Sequence, residues 1–403
     1  MTSFDSSPTL SVWRMLLALA VVFVLLATTG WTTLRDQQGP RLPRDSALAS
    51  WARDRIGLRT LPDPAAPART IAAFFTSIGP AQSARLADAH PYVVGNLDGA
   101  PVTLRYRANR LALSRAHSAE QGRVQDVRLT EAGRHEALRR VHRFASLMRP
   151  GRQILAFDPA GSGRTAEVLG DLNRAQRVSV IVPGVDTNLL TFQKSHGKYS
   201  APAGMAESLY AAERRAAPGT RTAVIAWADY TAPVGVGIDA AIGRLAETGA
   251  DRLLDMATAL PGSSRVSLFC HSYGSVLCGV AAPRLPERVT DVAVAGSPGM
   301  RVQSVAELST RARVWAMRDT DDWIQDVPHL EFGGVGHGAD PVEPEFGARL
   351  LSAAGAVGHA GYFEPGTDSL DNFAAIGVGS YDSLTCASAD SACRSGISGA
   401  EGA

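Results

Sequence analysis

Residues 266–282 read VSLFCHSYGSVLCGVAA. The run Val266–Cys270 is short and apolar, which suits a strand buried on both faces of a sheet. Ser275–Ala282 suits a helix. Only His271, Ser272, Tyr273 and Gly274 separate the two, so the chain has to reverse tightly around Ser272. Strand, turn and helix in this order form a nucleophile elbow, a strained corner that lifts a serine hydroxyl above the sheet end. Small residues two before and two after the serine, here Cys270 and Gly274, keep strand and helix from colliding. The Tyr273 amide then lies at a helix N-terminus, where it can donate to an oxyanion. Cysteine stands where the usual G-x-S-x-G has its first glycine.

A second small-x-Ser-x-Gly match, Ala295-Gly296-Ser297-Pro298-Gly299, also ends a strand-like run. It fails on chemistry. Pro298 has no N–H, so it cannot supply the oxyanion donor expected from the residue after the nucleophile. Ser297 reads as a turn residue.

Working outward, the same alternation recurs. Gln153–Asp158 and Arg164–Leu169 flank Pro159–Gly163 as a hairpin. Val178–Val182, Thr222–Trp227, Val289–Ala295 and Ala312–Met317 are further buried-strand runs, and Ala203–Ala216 and Asp239–Leu260 are helical stretches between them. An antiparallel start leading into a mostly parallel, helix-covered sheet is an α/β sandwich. This core is expected over residues 151–384. Residues 69–150 read as a helical accessory segment. In its last helix Leu138, Val141, Ala145 and Met148 make an apolar stripe in search of a partner. Residues 36–68 carry five prolines and read as a linker with one short helix near Ala47–Arg55; residues 385–403 read as a flexible tail.

A serine nucleophile needs a base and an acid to orient it. The strand Ala312–Met317 leads into Arg318-Asp319-Thr320-Asp321-Asp322-Trp323-Ile324. Asp322, followed by two apolar residues that can seat the turn, is the preferred acid, with Asp319 and Asp321 as alternatives. One of these aspartates is also expected to cap a helix. Of the two histidines further along the chain, His359 lies just ahead of a closing helix, Asp368–Ile376, that Thr367 can cap. His337 reads as a loop residue or a partner of Asp340. The second oxyanion donor is sought after Val178–Val182, where Gly184 permits close backbone approach and Val185 offers its amide.

Of the 403 residues, 45% are apolar and 20% charged, with 40 basic side chains against 39 acidic, which excludes disorder and a nucleic-acid footprint. One region departs from that average. Met15–Leu34 is uncharged and Met15–Ala27 continuously apolar. Twenty helical residues span about 30 Å, the thickness of a bilayer core. Trp13 and Trp31 fall at interfacial positions. Residues 1–35 are therefore expected to be a membrane anchor or a signal segment, Thr28-x-Gly30 supplying a small-residue cleavage site. Arg35, Arg41 and Arg44 argue for a cytoplasmic domain. A short N-terminal apolar segment more often exports the domain behind it, so a membrane-anchored or secreted protein with an extracytoplasmic domain is expected. Cys386 and Cys393 suit a disulfide there, or are two unrelated thiols.

These motifs together resemble a group of bacterial α/β-hydrolases with an elbow of the form GHSYG, here CHSYG. The resemblance extends over roughly residues 70–380, through VGNLDGAPVTLRYRANR (94–110), QILAFDPAGSGRTAEV (153–168), VSVIVPGVDTNL (178–189), WADYTAP (227–233), AGSPG (295–299) and GHAGYFEPGTDSLDN (358–372). It implies the α/β-hydrolase fold and a triad of Ser272, an aspartate after the seventh strand and His359. It implies no substrate. On this reading the chain is expected to be a serine hydrolase acting through an acyl-enzyme on an ester of a small or lipid-like acyl group, without cofactor or metal. The alternative is a membrane-tethered, non-catalytic binding protein on a hydrolase scaffold. A dinucleotide fingerprint at Gly161-Ser162-Gly163-Arg164-Thr165-Ala166 fails, because no helical apolar stripe comes after it.

Overall fold

The computed structural model describes residues 43–329, 331–332, 335–387 and 391–397. The expected anchor or signal segment, residues 1–35, lies outside them. No helix among the described residues is long and apolar enough to cross a membrane.

Eight strands form one sheet: β1 (Gln153–Asp158), β2 (Arg164–Gly170), β3 (Arg177–Val182), β4 (Thr222–Ala228), β5 (Arg265–His271), β6 (Val289–Ala295), β7 (Arg313–Met317) and β8 (Arg349–Leu350). Their spatial order is β1-β2-β4-β3-β5-β6-β7-β8. The pairs β1–β2 and β2–β4 are antiparallel and every other pair is parallel. The hairpin and mostly parallel sheet expected from the sequence are thus present. The loop 159–163 joins two paired strands, so the glycines there turn a hairpin and open no nucleotide-binding helix. The eighth strand is not legible in the sequence; two residues leave no periodicity to read.

Alternate residues of each strand serve opposite faces. Val178, Val180 and Val182 of β3 join one apolar layer, while Ile181 joins the other. The first layer is closed by helices Arg244–Ala259 and Tyr273–Ala281 through Leu253, Ala257, Val276 and Leu277. The second is closed by Pro202–Ala216 and Asp368–Val378 through Met205, Leu209, Leu370 and Phe373. Each of the leucine, valine, methionine and phenylalanine side chains among them contributes about 1.5–3 kcal/mol on burial. The expected helix Asp239–Leu260 is broken: a short turn at Ile238–Ala241 precedes Arg244–Ala259.

Four observations correct the sequence expectations. The short helix expected near Ala47–Arg55 is present as Pro43–Arg53, but it does not lie in a free linker: Trp51 is buried with Ile71, Phe74, Phe75 and Leu86 of the accessory segment. In the helix Glu131–Leu147 the buried face is Ala137, Arg140, Phe144 and Leu147 rather than the stripe read from the sequence, and Leu138 is exposed. Arg140 is admitted because Glu120 pairs with its Nε at 3.0 Å and its Nη1 and Nη2 donate to the carbonyls of Gly161 and Pro159. After Leu384 the chain is not a free tail. Cys386 and Cys393 form a disulfide, Leu351 bridges to Cys386, and Arg349 donates to the carbonyls of Cys393 and Ser395. Finally, Cys270 and Cys278 form a second disulfide across the elbow, a link that nothing in their sequence context signals.

Candidate functional site

β5 ends in the expected sharp turn. Ser272 has φ 55° and ψ −130°, a conformation that costs an L-residue about 1–3 kcal/mol. The turn persists because its surroundings over-determine it. The Ser272 amide donates to the Ala295 carbonyl at 3.1 Å, and the Ser275 amide donates back to the Ser272 carbonyl at 2.9 Å. A Cβ on Gly274 would lie 2.2 Å from the Val182 carbonyl oxygen, so strand and helix meet here without room for a side chain. The Cys270–Cys278 disulfide ties the end of β5 to the helix after it.

Gly184 approaches the serine from the neighbouring strand. A Cβ there would sit 2.5 Å from Ser272 Cβ and 2.8 Å from its Oγ. Tyr230, buried, donates to the Pro183 carbonyl at 2.6 Å and so supports this loop from below. Asp186, with φ 58°, donates its amide to Pro233 and accepts the Gly235 amide on Oδ1 at 2.8 Å. It is a turn former that ties two loops together. Among the described residues, no backbone carbonyl outside the helices and strands accepts from the Tyr273 or the Val185 amide.

Asp322 follows β7 and His359 lies on the 3-10 turn Gly358–Phe363 beyond β8. Both carboxylate oxygens of Asp322 face His359 Nδ1, at 2.8 and 3.0 Å. Asp322 Oδ1 also accepts the Ile324 amide at 2.9 Å, and Oδ2 accepts the Tyr362 hydroxyl at 2.5 Å. Burial alone would raise the Asp322 carboxyl; the hydrogen bonds from His359, Tyr362 and the Ile324 amide outweigh it and hold the carboxyl below its ordinary value. The capping role expected of one aspartate also falls to Asp322, through Ile324.

The alternatives resolve differently. Asp319 accepts the Gly358 amide at 2.7 Å and the Asp321 amide at 3.3 Å, so it shapes the turn that carries His359. Asp321 is exposed. His337 points elsewhere: its Nε2 donates to the Ala240 carbonyl at 2.7 Å, and Asp340 pairs instead with Arg318. Ser297 accepts the Gly299 amide on its hydroxyl, the turn role expected of it.

Three residues of the site were missed by sequence reasoning. His271 is buried, and its Nε2 donates to the His359 carbonyl at 2.6 Å, the rings lying 4.8 Å apart. Burial first, and then the neighbouring His359 ring, push the His271 imidazole down to about 3, so it stays neutral. Gly296 has φ 55°, and a Cβ there would lie 2.7 Å from Asp322 Oδ2 and 3.1 Å from His359 Nδ1. Tyr362 was read only as part of a motif. Trp323, 44% exposed, covers the outer side of His359 with ring centroids 4.7 Å apart. His359 Nε2 is buried and makes no hydrogen bond among the described residues, so Ser272 and His359 are not joined here. Nucleophile–base bonds are often long until substrate is held.

Sheet order, elbow and strand-end loops define an α/β-hydrolase fold. A family model described as an alpha/beta hydrolase matches residues 158–332, which include Ser272 and Asp322 and stop before His359. Two curated relatives, uncharacterized proteins of Mycobacterium tuberculosis strains CDC 1551 / Oshkosh and ATCC 25618 / H37Rv, are each 25% identical over 390 residues. Each match takes in 80% of this chain and 57% of the relative, so the chain spans little more than half the relatives' length. Among solved structures, a predicted CIB-like hydrolase from Thermoplasma acidophilum aligns with TM-score 0.35 and 18% identity, over 57% of this chain and 95% of that one. An a/b serine hydrolase without lid from Xanthomonas campestris aligns with TM-score 0.29 and 15% identity, over 44% and 74% respectively.

Proposed function

We propose that the chain is a serine hydrolase of the GHSYG-elbow group, cleaving an ester-type acyl bond through an acyl-enzyme intermediate. Ser272 is the nucleophile, His359 the general base and Asp322 the acid that fixes the imidazole; the amides of Tyr273 and Val185 hold the oxyanion. The single observation that carries this is the Asp322–His359 Nδ1 pair, 2.8 Å apart, on the turn that His271 anchors beside the strained Ser272. With Nδ1 bonded to the carboxylate, Nε2 is the nitrogen left to take the serine proton.

In the reaction the Ser272 oxygen bonds to the acyl carbon as His359 takes its proton. The tetrahedral oxyanion collapses, the alcohol leaves with that proton, and water repeats the steps to release the acid. The substrate class, a small or lipid-like acyl ester, and attachment to a membrane through residues 1–35 belong to the same proposal. They are supported only by the uncharged stretch Met15–Leu34.

The test is labelling of the full chain by a fluorophosphonate probe, with Ser272→Ala as control. Labelling that the substitution abolishes supports the hydrolase. The other reading is a membrane-tethered, non-catalytic binding protein on the same scaffold. A wild type that stays unlabelled would favour that reading and remove the hydrolase.

A further inference from the structure

We propose that Tyr362 is a positioning residue of the site: it binds Oδ2 of Asp322 and so sets how strongly that carboxylate holds the His359 imidazolium. The proposal rests on the serine hydrolase reading above.

The geometry gives the hydroxyl one direction in which to donate. The Asp319 amide donates to the Tyr362 oxygen at 3.0 Å, and the hydroxyl proton is directed at Asp322 Oδ2, 2.5 Å away. Tyr362 is fully buried, so no water competes for that bond. Burial first, and then the hydrogen bond to Asp322, push the phenol well above its ordinary range, and it remains a donor throughout the working pH range. Asp322 Oδ1 is meanwhile occupied by the Ile324 amide and by His359. The carboxylate thus has a donor on each oxygen and cannot rotate away from the imidazole.

The bond has an electronic consequence as well. A hydroxyl donating to a carboxylate draws charge from it, in a charge-assisted bond stronger than a neutral one. The carboxylate is then a weaker holder of the proton that His359 carries between steps. The other titratable groups facing this pair are few among the described residues. The His271 ring lies 4.8 Å from His359 and 5.8 Å from Tyr362, and is neutral. The Asp319 carboxylate is turned to the amides of Gly358 and Asp321. Removing the tyrosine hydroxyl leaves His271 neutral and the Asp319 carboxylate on its two amides, and takes from the Asp319 backbone amide its acceptor.

The test reads the rate of fluorophosphonate labelling of the full chain between about pH 5 and pH 9, the range in which an imidazole base titrates. Tyr362→Phe should move the acidic limb up by about 0.5 pH unit or more, because a carboxylate without the hydroxyl holds the imidazolium more firmly. Tyr362→3-fluorotyrosine keeps the bond with a more acidic phenol and should move the limb the opposite way. Tyr381→Phe is the control: it deletes another buried tyrosine–aspartate bond, Tyr381 to Asp291 at 2.8 Å, and should leave the limb in place. A limb unmoved in both position-362 variants overturns the proposal, since a tyrosine that only packs lowers stability without shifting it. Should Tyr362→Phe fail to fold, the fluorotyrosine variant decides alone by the same criterion. A wild type that does not label, or Ser272→Ala that still labels, overturns the hydrolase reading itself. Labelling that requires Ser272 while the limb stays fixed removes only the role given to Tyr362.

Discussion

His271 and His359 lie 88 residues apart in sequence, yet the Nε2 of the first donates to the backbone carbonyl of the second at 2.6 Å. The residue immediately before the strained serine therefore grips the turn that carries the second histidine. Ser272 and His359 sit on separate loops, and this bond is what ties those loops together.

His271→Phe keeps a buried ring and removes the bond. Leaving a buried carbonyl without its donor costs about 1–3 kcal/mol, so melting temperature and labelling rate should both fall. The pH dependence has a defined sign. An unfolded His271 takes a proton below 6.5, while the folded ring refuses it until about 3. Its contribution is thus complete above pH 6.5 and is lost as the pH falls towards 3. Thermal melts of wild type and His271→Phe should converge across that window; a constant gap would contradict the assignment.

Gly184→Ala and Gly296→Ala probe two close approaches. The first places a methyl 2.8 Å from Ser272 Oγ, and the second 2.7 Å from Asp322 Oδ2 at a φ of 55°. Either one should reduce labelling at least tenfold while the far-ultraviolet spectrum stays native, since the displaced atoms belong to strand-end loops. Gly161→Ala, with open space around it, serves as comparison: its strain is local to the hairpin, and labelling should be unchanged.

Asp322→Asn and Asp319→Asn separate the two aspartates. With asparagine at 322 the imidazole loses the partner of Nδ1, and a triad of this kind drops by about 10⁴ in rate. With asparagine at 319 the Gly358 amide keeps an oxygen acceptor, so the loss should stay within about tenfold. Equal losses in labelling kinetics would contradict the roles given to them.

Glu213 offers a pH effect remote from the site. It is fully buried on the helix Pro202–Ala216, with Ser179 donating to it, and burial pushes its carboxyl up to about 8 from 4.5. Folding therefore favours the protonated form. The stability this gives is complete below pH 4.5 and is lost as the pH rises through about 8. Glu213→Gln should flatten that decline and raise the melting temperature at pH 8 relative to wild type. A decline that persists unchanged in the variant would locate its cause elsewhere.

What the sequence alone determined is what local physics dictates. Apolar runs of five to seven residues became strands, Gly274 and Cys270 marked a corner tight enough to strain Ser272, and Thr367 capped the helix it precedes. Candidate acid and base could be named because each lies in a short loop after a legible strand or before a legible helix. The tertiary structure decided which candidates meet. Asp322 and His359 are 37 residues apart, and their pairing depends on β7 and β8 lying side by side at one edge of the sheet. No periodicity encodes that neighbourhood. The same reason hid His271, Gly296 and Tyr362, whose roles exist only where three strand-end loops converge, and the Cys270–Cys278 disulfide, which a reading of Cys270 as merely small passed over. The buried face of Glu131–Leu147 was misread because Arg140 looks like a surface residue until Glu120 and two carbonyls surround it. Burial follows from partners, and partners come from the fold.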